Sequence, residues 1–264
     1  MAESAAAPPW GRRLRRRWIL AAVAAALVLL VAAGLHLLRP ASPPGAEEAD
    51  PSRIVIVAIG DSNTLGVAAP DPERADSYPD HLQELLGEEE HQVLNHGVDN
   101  RSLLDSADFP YVEEPAHRAS QEARPDVVLI MLGTNDARAP NWDAPAYEEQ
   151  LTAFVEDYQQ LDSAPEVHLL TPPPALENAG GIDPAVVSEQ VRPIVEDVAR
   201  STDAELIDIH ALLEDRPELM GEDGVHPTAA GYELIAAEVH EALTGHDGPG
   251  PDPDPDTEEA GTDG

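Results

Sequence analysis

The chain has 264 residues, 51 acidic and 15 basic, giving a net charge of −36 at pH 7, and it has no cysteine. Disulfides, thiolate-held metals and a cysteine nucleophile are therefore excluded. Nucleic acid is excluded as a partner too, because phosphate binding needs clustered positive charge.

Every basic residue is arginine. So acidic a surface suits a protein kept soluble in strong salt, although a high-GC genome also explains arginine in place of lysine. Residues 1–17 form a basic leader, with Arg12, Arg13, Arg15, Arg16 and Arg17 against the single acid Glu3. Residues 18–38, Trp18 to Leu38, are an almost unbroken apolar run. At a rise of ~1.5 Å per residue such a run makes ~31 Å of helix, enough to cross a bilayer. Arginine on its N-terminal side keeps that end in the cytoplasm. The expectation is a single-pass signal-anchor in the cell membrane with the rest of the chain extracytoplasmic. The rival readings are a cleaved signal, which would release a secreted protein, and a twin-arginine signal. Arg39-Pro40 comes after the run in place of a small-residue cleavage site. Residues 39–52 are Pro-rich and acidic, a linker. Residues 246–264 hold seven acids and no large apolar residue, the composition of a disordered acidic tail. Between them, residues 53–245 carry nine Arg against 40 acids, a charge of −31, so the acidity belongs to the folded domain itself.

Within that domain strands and helices alternate. The β-branched run from Ile54 reads as a buried strand ending at Gly60. Ser77 to Gly87 is a helix, with a serine cap, Pro79 in the first turn and Leu82, Leu85 and Leu86 on one face. Gln92 to Asn95 is a second strand and Asp126 to Leu132 a third. Pro145 to Leu161 is amphipathic, and Glu166 to Leu170 is a fourth strand. Leu176 to Gly181 is a glycine-containing loop, read as a lid. Asp183-Pro184 opens a helix to about Ser201 that Pro193 should kink. Leu206 to Ile209 is a fifth strand, and Thr228 to Leu243 is the closing helix. This alternation predicts an α/β fold with a doubly wound parallel sheet covered by helices on both faces.

The chemistry lies in the turns at the ends of the strands. Gly60-Asp61-Ser62 ends the first, Asn95-His96-Gly97 the second and Gly133-Thr134-Asn135-Asp136 the third. Asp223-Gly224-Val225-His226-Pro227 comes after the fifth, beyond a loop. In a parallel sheet these turns share one edge. Ser62 is then a nucleophile, poor at neutral pH without a base, and His226 is that base. Asp223, three residues earlier, can accept from Nδ1 and leave Nε2 facing Ser62. The Ser62 and Gly97 N–H groups and the Asn135 amide are the candidate oxyanion donors. Asp61 and Asp136 are read as structural, holding the turns through backbone hydrogen bonds.

Four such blocks in this order resemble the SGNH/GDSL hydrolase family of esterases and lipases. The resemblance spans most of residues 53–245 and departs from the family's name-giving motif at Asn63, where leucine is usual. It implies a flavodoxin-like three-layer α/β/α fold with a mostly parallel five-stranded sheet. It also implies ester hydrolysis through an acyl-enzyme with no metal and no cofactor, and it places the roles on Ser62, Asp223, His226, Gly97 and Asn135. The stretch from Thr171-Pro172-Pro173-Pro174 to the Asp223 block resembles members that deacetylate carbohydrates. With only two Phe in the chain, a wide apolar acyl tunnel is not expected. The expected partner is a small-molecule or glycan ester with a short acyl group. The alternatives are a lysophospholipase or thioesterase, a cell-wall O-acyltransferase, or a non-catalytic module that holds an acylated glycan. His96, His168 and His210 are rival bases, with His210 at the end of the fifth strand the most serious. Arg101 and Arg138 lie just beyond the site loops and read as solvated surface.

Overall fold

The computed structural model describes residues 48–67, 77–176 and 180–245. The expected leader, membrane anchor and acidic tail lie outside the described residues, as does all but the end of the linker. Among the described residues no helix is long and apolar enough to cross a membrane.

Five strands form one sheet in the order β2-β1-β3-β4-β5. They are β1 (Ile54–Gly60), β2 (His91–Gly97), β3 (Val127–Met131), β4 (Glu166–Leu170) and β5 (Glu205–Ile207). All four pairings are parallel, so the sheet is doubly wound with its switch point between β1 and β3. The central strand β1 is buried on both faces from Val55 onward. Its period-2 alternation divides the core. Val55, Val57 and Ile59 face one apolar layer together with Val128, Ile130, Val167 and Leu169. Ile56 and Ala58 face the other together with Leu129, Met131 and Ile207.

The helices cover both faces. In chain order they are α1 (Ser62–Leu65), α2 (Tyr78–Leu86), α3 (Pro115–Glu122), α4 (Ala144–Gln159), α5 (Pro184–Val186), α6 (Arg192–Thr202), α7 (Ile209–Leu213) and α8 (Ala229–Thr244). Tyr78 and Leu82 of α2 and Tyr232, Ile235 and Val239 of α8 fill the second layer. Tyr147, Leu151, Phe154 and Tyr158 of α4 and Val195 and Val198 of α6 fill the first. Helix α2 starts as its sequence predicts, with a capping box between Ser77 and Asp80.

Strand β2 is longer at both ends than the predicted Gln92 to Asn95, and two further points differ from the sequence reading. Around Pro193 the helical segment runs unbroken from Pro184 to Thr202. A π turn at Val187–Val191 precedes the proline, with the Arg192 N–H reaching back to the Val187 carbonyl, and Pro193 falls in the first turn of α6. The widened π turn is where the segment absorbs a residue with no N–H to donate. Strand β5 stops at Ile207 because the Asp208 carboxylate accepts the Ala211 N–H and starts α7.

Candidate active site

The site is built on the turn after β1. Asp61 caps α1, its carboxylate accepting the Asn63 N–H at 2.9 Å. Ser62 is thereby fixed as the first residue of a single helical turn, and its own N–H has no intrahelical acceptor. The Ser62 Oγ lies 2.8 Å from Nε2 of His226, across 164 residues of sequence. Nδ1 of the same ring lies 2.7 Å from Asp223 Oδ2. The other oxygen of Asp223 accepts the backbone N–H groups of Val225 and His226. The carboxylate is thus gripped by its own turn while it orients the ring. Burial works to raise its pKa, but the bond from the His226 ring and those two N–H groups outweigh it and hold the pKa below the usual carboxylate value.

Below this line two buried carboxylates hold the loops together. Asp136 accepts the N–H groups of Leu103 and Leu104 at 3.0 and 2.8 Å, tying the loop after β2 to the loop after β3. Asp61 and Asp136 both have their pKa raised by burial to about 6. Gly133 starts the second of these loops at φ 130°, and a Cβ there would stand 2.5 Å from the Tyr147 hydroxyl. Only glycine fits.

The expected oxyanion donors fare differently. Ser62 and Asn135 line one cavity of about 340 Å³ together with His226 and Asp223. The Asn135 amide donates to the Arg101 carbonyl at 3.0 Å and to Asp61 Oδ2 at 3.3 Å. Gly97 does not line the cavity. Its N–H is committed to Asn95 Oδ1 at 2.9 Å, and a Cβ there would stand 2.3 Å from the Leu65 backbone nitrogen. The expectation of an inward-pointing Gly97 N–H is therefore corrected. Its glycine serves the close approach of β2 to the nucleophile turn. Three residues on, Asn100 does line the cavity, in the left-handed conformation at φ 60°. Among the described residues no acceptor takes its N–H. A left-handed residue is legible there, since asparagine tolerates that conformation best after glycine.

The rival histidines stand elsewhere. His210 is buried, with Nδ1 3.2 Å from the Pro172 carbonyl. His168 is buried in β4 with Nε2 3.0 Å from Glu166. Burial pushes the His96 pKa down to about 4. None of the three lines the cavity. Arg101 pairs with Glu114 at 2.6 Å and lies over the Phe109 ring. Arg138, read as surface, lines the cavity with Asp99 and Asn100, and Ile182 and Val225 add apolar surface.

Residues 58–234 match the family model of the GDSL-like lipase/acylhydrolases. An acetylxylan esterase of Xylanibacter ruminicola is 31% identical over 208 residues, 72% of this chain and 43% of that protein. A multidomain esterase of Ruminococcus flavefaciens is 30% identical over 134 residues, 47% of this chain and 17% of that protein. The chain therefore spans less than half the length of the curated relatives it matches. Among solved structures, a lipase/acylhydrolase from Enterococcus faecalis superposes with TM-score 0.58 at 24% identity, over 73% of this chain and 96% of that one. An acetyl xylan esterase superposes with TM-score 0.59 at 22% identity, over 72% of this chain and 100% of that one.

Proposed function

The chain belongs to the GDSL-like lipase/acylhydrolase family, and from that membership we propose that it is a serine esterase that removes short acyl groups, acetyl above all, from carbohydrate hydroxyls. The observation that carries the reading is the unbroken line Ser62 Oγ, His226 Nε2, His226 Nδ1, Asp223 Oδ2, with contacts of 2.8 and 2.7 Å.

Ser62 Oγ attacks the ester carbonyl as its proton passes to Nε2 of His226. Asp223 holds the ring in the required tautomer and stabilises the imidazolium. The negative charge that forms on the carbonyl oxygen takes hydrogen bonds from the Ser62 N–H and from the Asn100 N–H, in place of Gly97. The Asn135 amide joins them by releasing its longer bond, that to Asp61. Collapse breaks the bond to the alcohol oxygen, which leaves with the proton from Nε2. His226 then deprotonates a water that attacks the acyl-Ser62 ester, and the acid and free enzyme are regenerated.

The carbohydrate acetyl ester as substrate is supported by the names of the relatives and by a cavity with more polar than apolar side chains on its wall. The Arg-rich leader and the 21-residue apolar run support an anchored enzyme working outside the membrane. A serine-reactive fluorophosphonate probe tests the mechanism. It should label the protein at Ser62 and fail on Ser62→Ala, and labelling elsewhere or not at all overturns the assignment. Analysis of products with a sugar acceptor present separates hydrolysis from acyl transfer.

A further inference from the structure

The cavity wall also carries side chains that the catalytic steps do not use. Asp99 and Asn100 come from the loop after β2, and Arg138 comes three residues after Asn135. The backbone of Arg138 is held by an antiparallel bridge to Ile182, and the peptide that precedes it is fixed by the bond from the Asp183 N–H to the Ala137 carbonyl. Its guanidinium therefore leaves a braced backbone. One corner is occupied, since Nη1 donates to Asn100 Oδ1 at 2.7 Å. The rest is not. Arg138 makes no ion pair among the described residues, whereas Arg101 on the neighbouring loop is paired with Glu114. Arg118, Arg124 and Arg216 are likewise without an ion pair among the described residues, but of these four only Arg138 lines the cavity.

A ligand for Arg138 must also suit Asp99. That side chain is exposed at the same cavity and accepts only. A carboxylate ligand would meet Arg138 favourably and Asp99 unfavourably. A hydroxyl suits both, since it accepts from the guanidinium and donates to the carboxylate. Two or more hydroxyls on one rigid ring can engage both groups at once.

We infer that Arg138 and Asp99 form the subsite for the alcohol half of the ester and that they recognise a neutral polyhydroxylated ring. The inference rests on the esterase reading and deepens it. Arg138 is thereby a specificity-determining residue, and its hold on Asn100 keeps the subsite in register with the reacting carbonyl.

The test compares an acetylated xylo-oligosaccharide with p-nitrophenyl acetate, which offers no hydroxyls to the subsite. A buried site built to bind a substrate hydroxyl discriminates strongly against an analogue lacking it. In Arg138→Leu, kcat/KM for the sugar ester should fall about 10- to 100-fold, and the ratio of the two specificity constants should fall at least about tenfold. Asp99→Asn, an exposed change that does not threaten folding, should lower the same ratio about threefold, mainly through KM. Arg138→Lys, which keeps the charge and loses the planar fork, should fall between wild type and Arg138→Leu. Equal loss on both substrates would make Arg138 a brace for Asn100 alone and overturn the proposal, as would no loss on either. Wild-type turnover of the aryl ester with none of the sugar ester would also overturn it, together with the carbohydrate substrate, while leaving the serine-esterase mechanism intact. Turnover of neither would bring down both.

Discussion

Two loops meet over the cavity and are built in opposite ways. The turn after β1 is sealed. Asp61, Ser62, Asn63 and Thr64 are all buried, Asp61 caps the turn, and Asn95 ties the Thr64 carbonyl to β2 at 3.0 Å. The loop after β2 is open. Asp99 is exposed, Asn100 sits in the left-handed region, and the arginine gripping it makes no ion pair among the described residues. The first arrangement suits atoms that must be placed to a few tenths of an ångström before substrate arrives. The second, on the proposed reading, is completed by the substrate. On that reading the attacking serine sits on the rigid loop and the recognition of the leaving alcohol on the open one.

The largest effect should come from the sealed side. Ser62→Ala should lower kcat by about 10⁴-fold or more, and His226→Ala by a similar factor, because the members of such a line act as a unit. The Ser62 hydroxyl touches only His226 among the side-chain hydrogen bonds of the described residues. Thermal unfolding of Ser62→Ala should therefore stay within about 1 kcal/mol of wild type. A large loss of stability would mean that the serine is structural, and the contrast between the loops would lose its meaning.

Legibility in the sequence divides along the same line. The strands of the sheet and the serine, aspartate and histidine are legible, because β-branched runs mark buried strands, the serine stands where a parallel strand ends and the Asp223 to His226 spacing lets a carboxylate meet an imidazole. Helix α3 is not. Its sequence, Pro115 to Glu122, carries no apolar stripe and buries only Ser120, so periodicity gives no signal. Gly97 misleads because a glycine in a site loop suggests free backbone, whereas a distant contact, the Leu65 backbone, is what excludes a side chain there. Arg138 reads as surface because a charged residue beside a loop is usually solvated. Only the tertiary bond to Asn100 shows otherwise.

A smaller effect should come from the tie between the two loops. Asp136→Asn leaves one acceptor oxygen for the two N–H groups of Leu103 and Leu104, and should cost about 1–3 kcal/mol near pH 4, measured by denaturant unfolding. The pH dependence sharpens this. The Asp136 pKa rises from 3.8 to about 6 on folding. Below pH 4 the group is protonated in both states. Between about pH 4 and 6 the unfolded chain releases the proton while the folded chain keeps it, so the stability of wild type relative to Asp136→Asn should fall as pH rises. The fall is on the order of 3 kcal/mol and levels off above about pH 6. A difference that grows with pH over that range would show that Asp136 is ionised and stabilised by its two donors, not held protonated by burial.

The smallest effect should come from Asn100→Gly, and it tests the open loop most directly. Glycine reaches φ 60° with less strain than asparagine, so the backbone conformation and its N–H are kept. What is lost is the oxygen that holds Arg138 at 2.7 Å. If the N–H serves the oxyanion and the side chain serves only to steady the arginine, kcat on p-nitrophenyl acetate should change by less than about threefold, whereas removal of an oxyanion donor itself costs about 10²–10³. On a sugar acetate KM should rise severalfold as Arg138 loses its anchor. If instead kcat falls on both esters by a hundredfold, the asparagine side chain is part of the chemistry, and the open loop belongs with the sealed one.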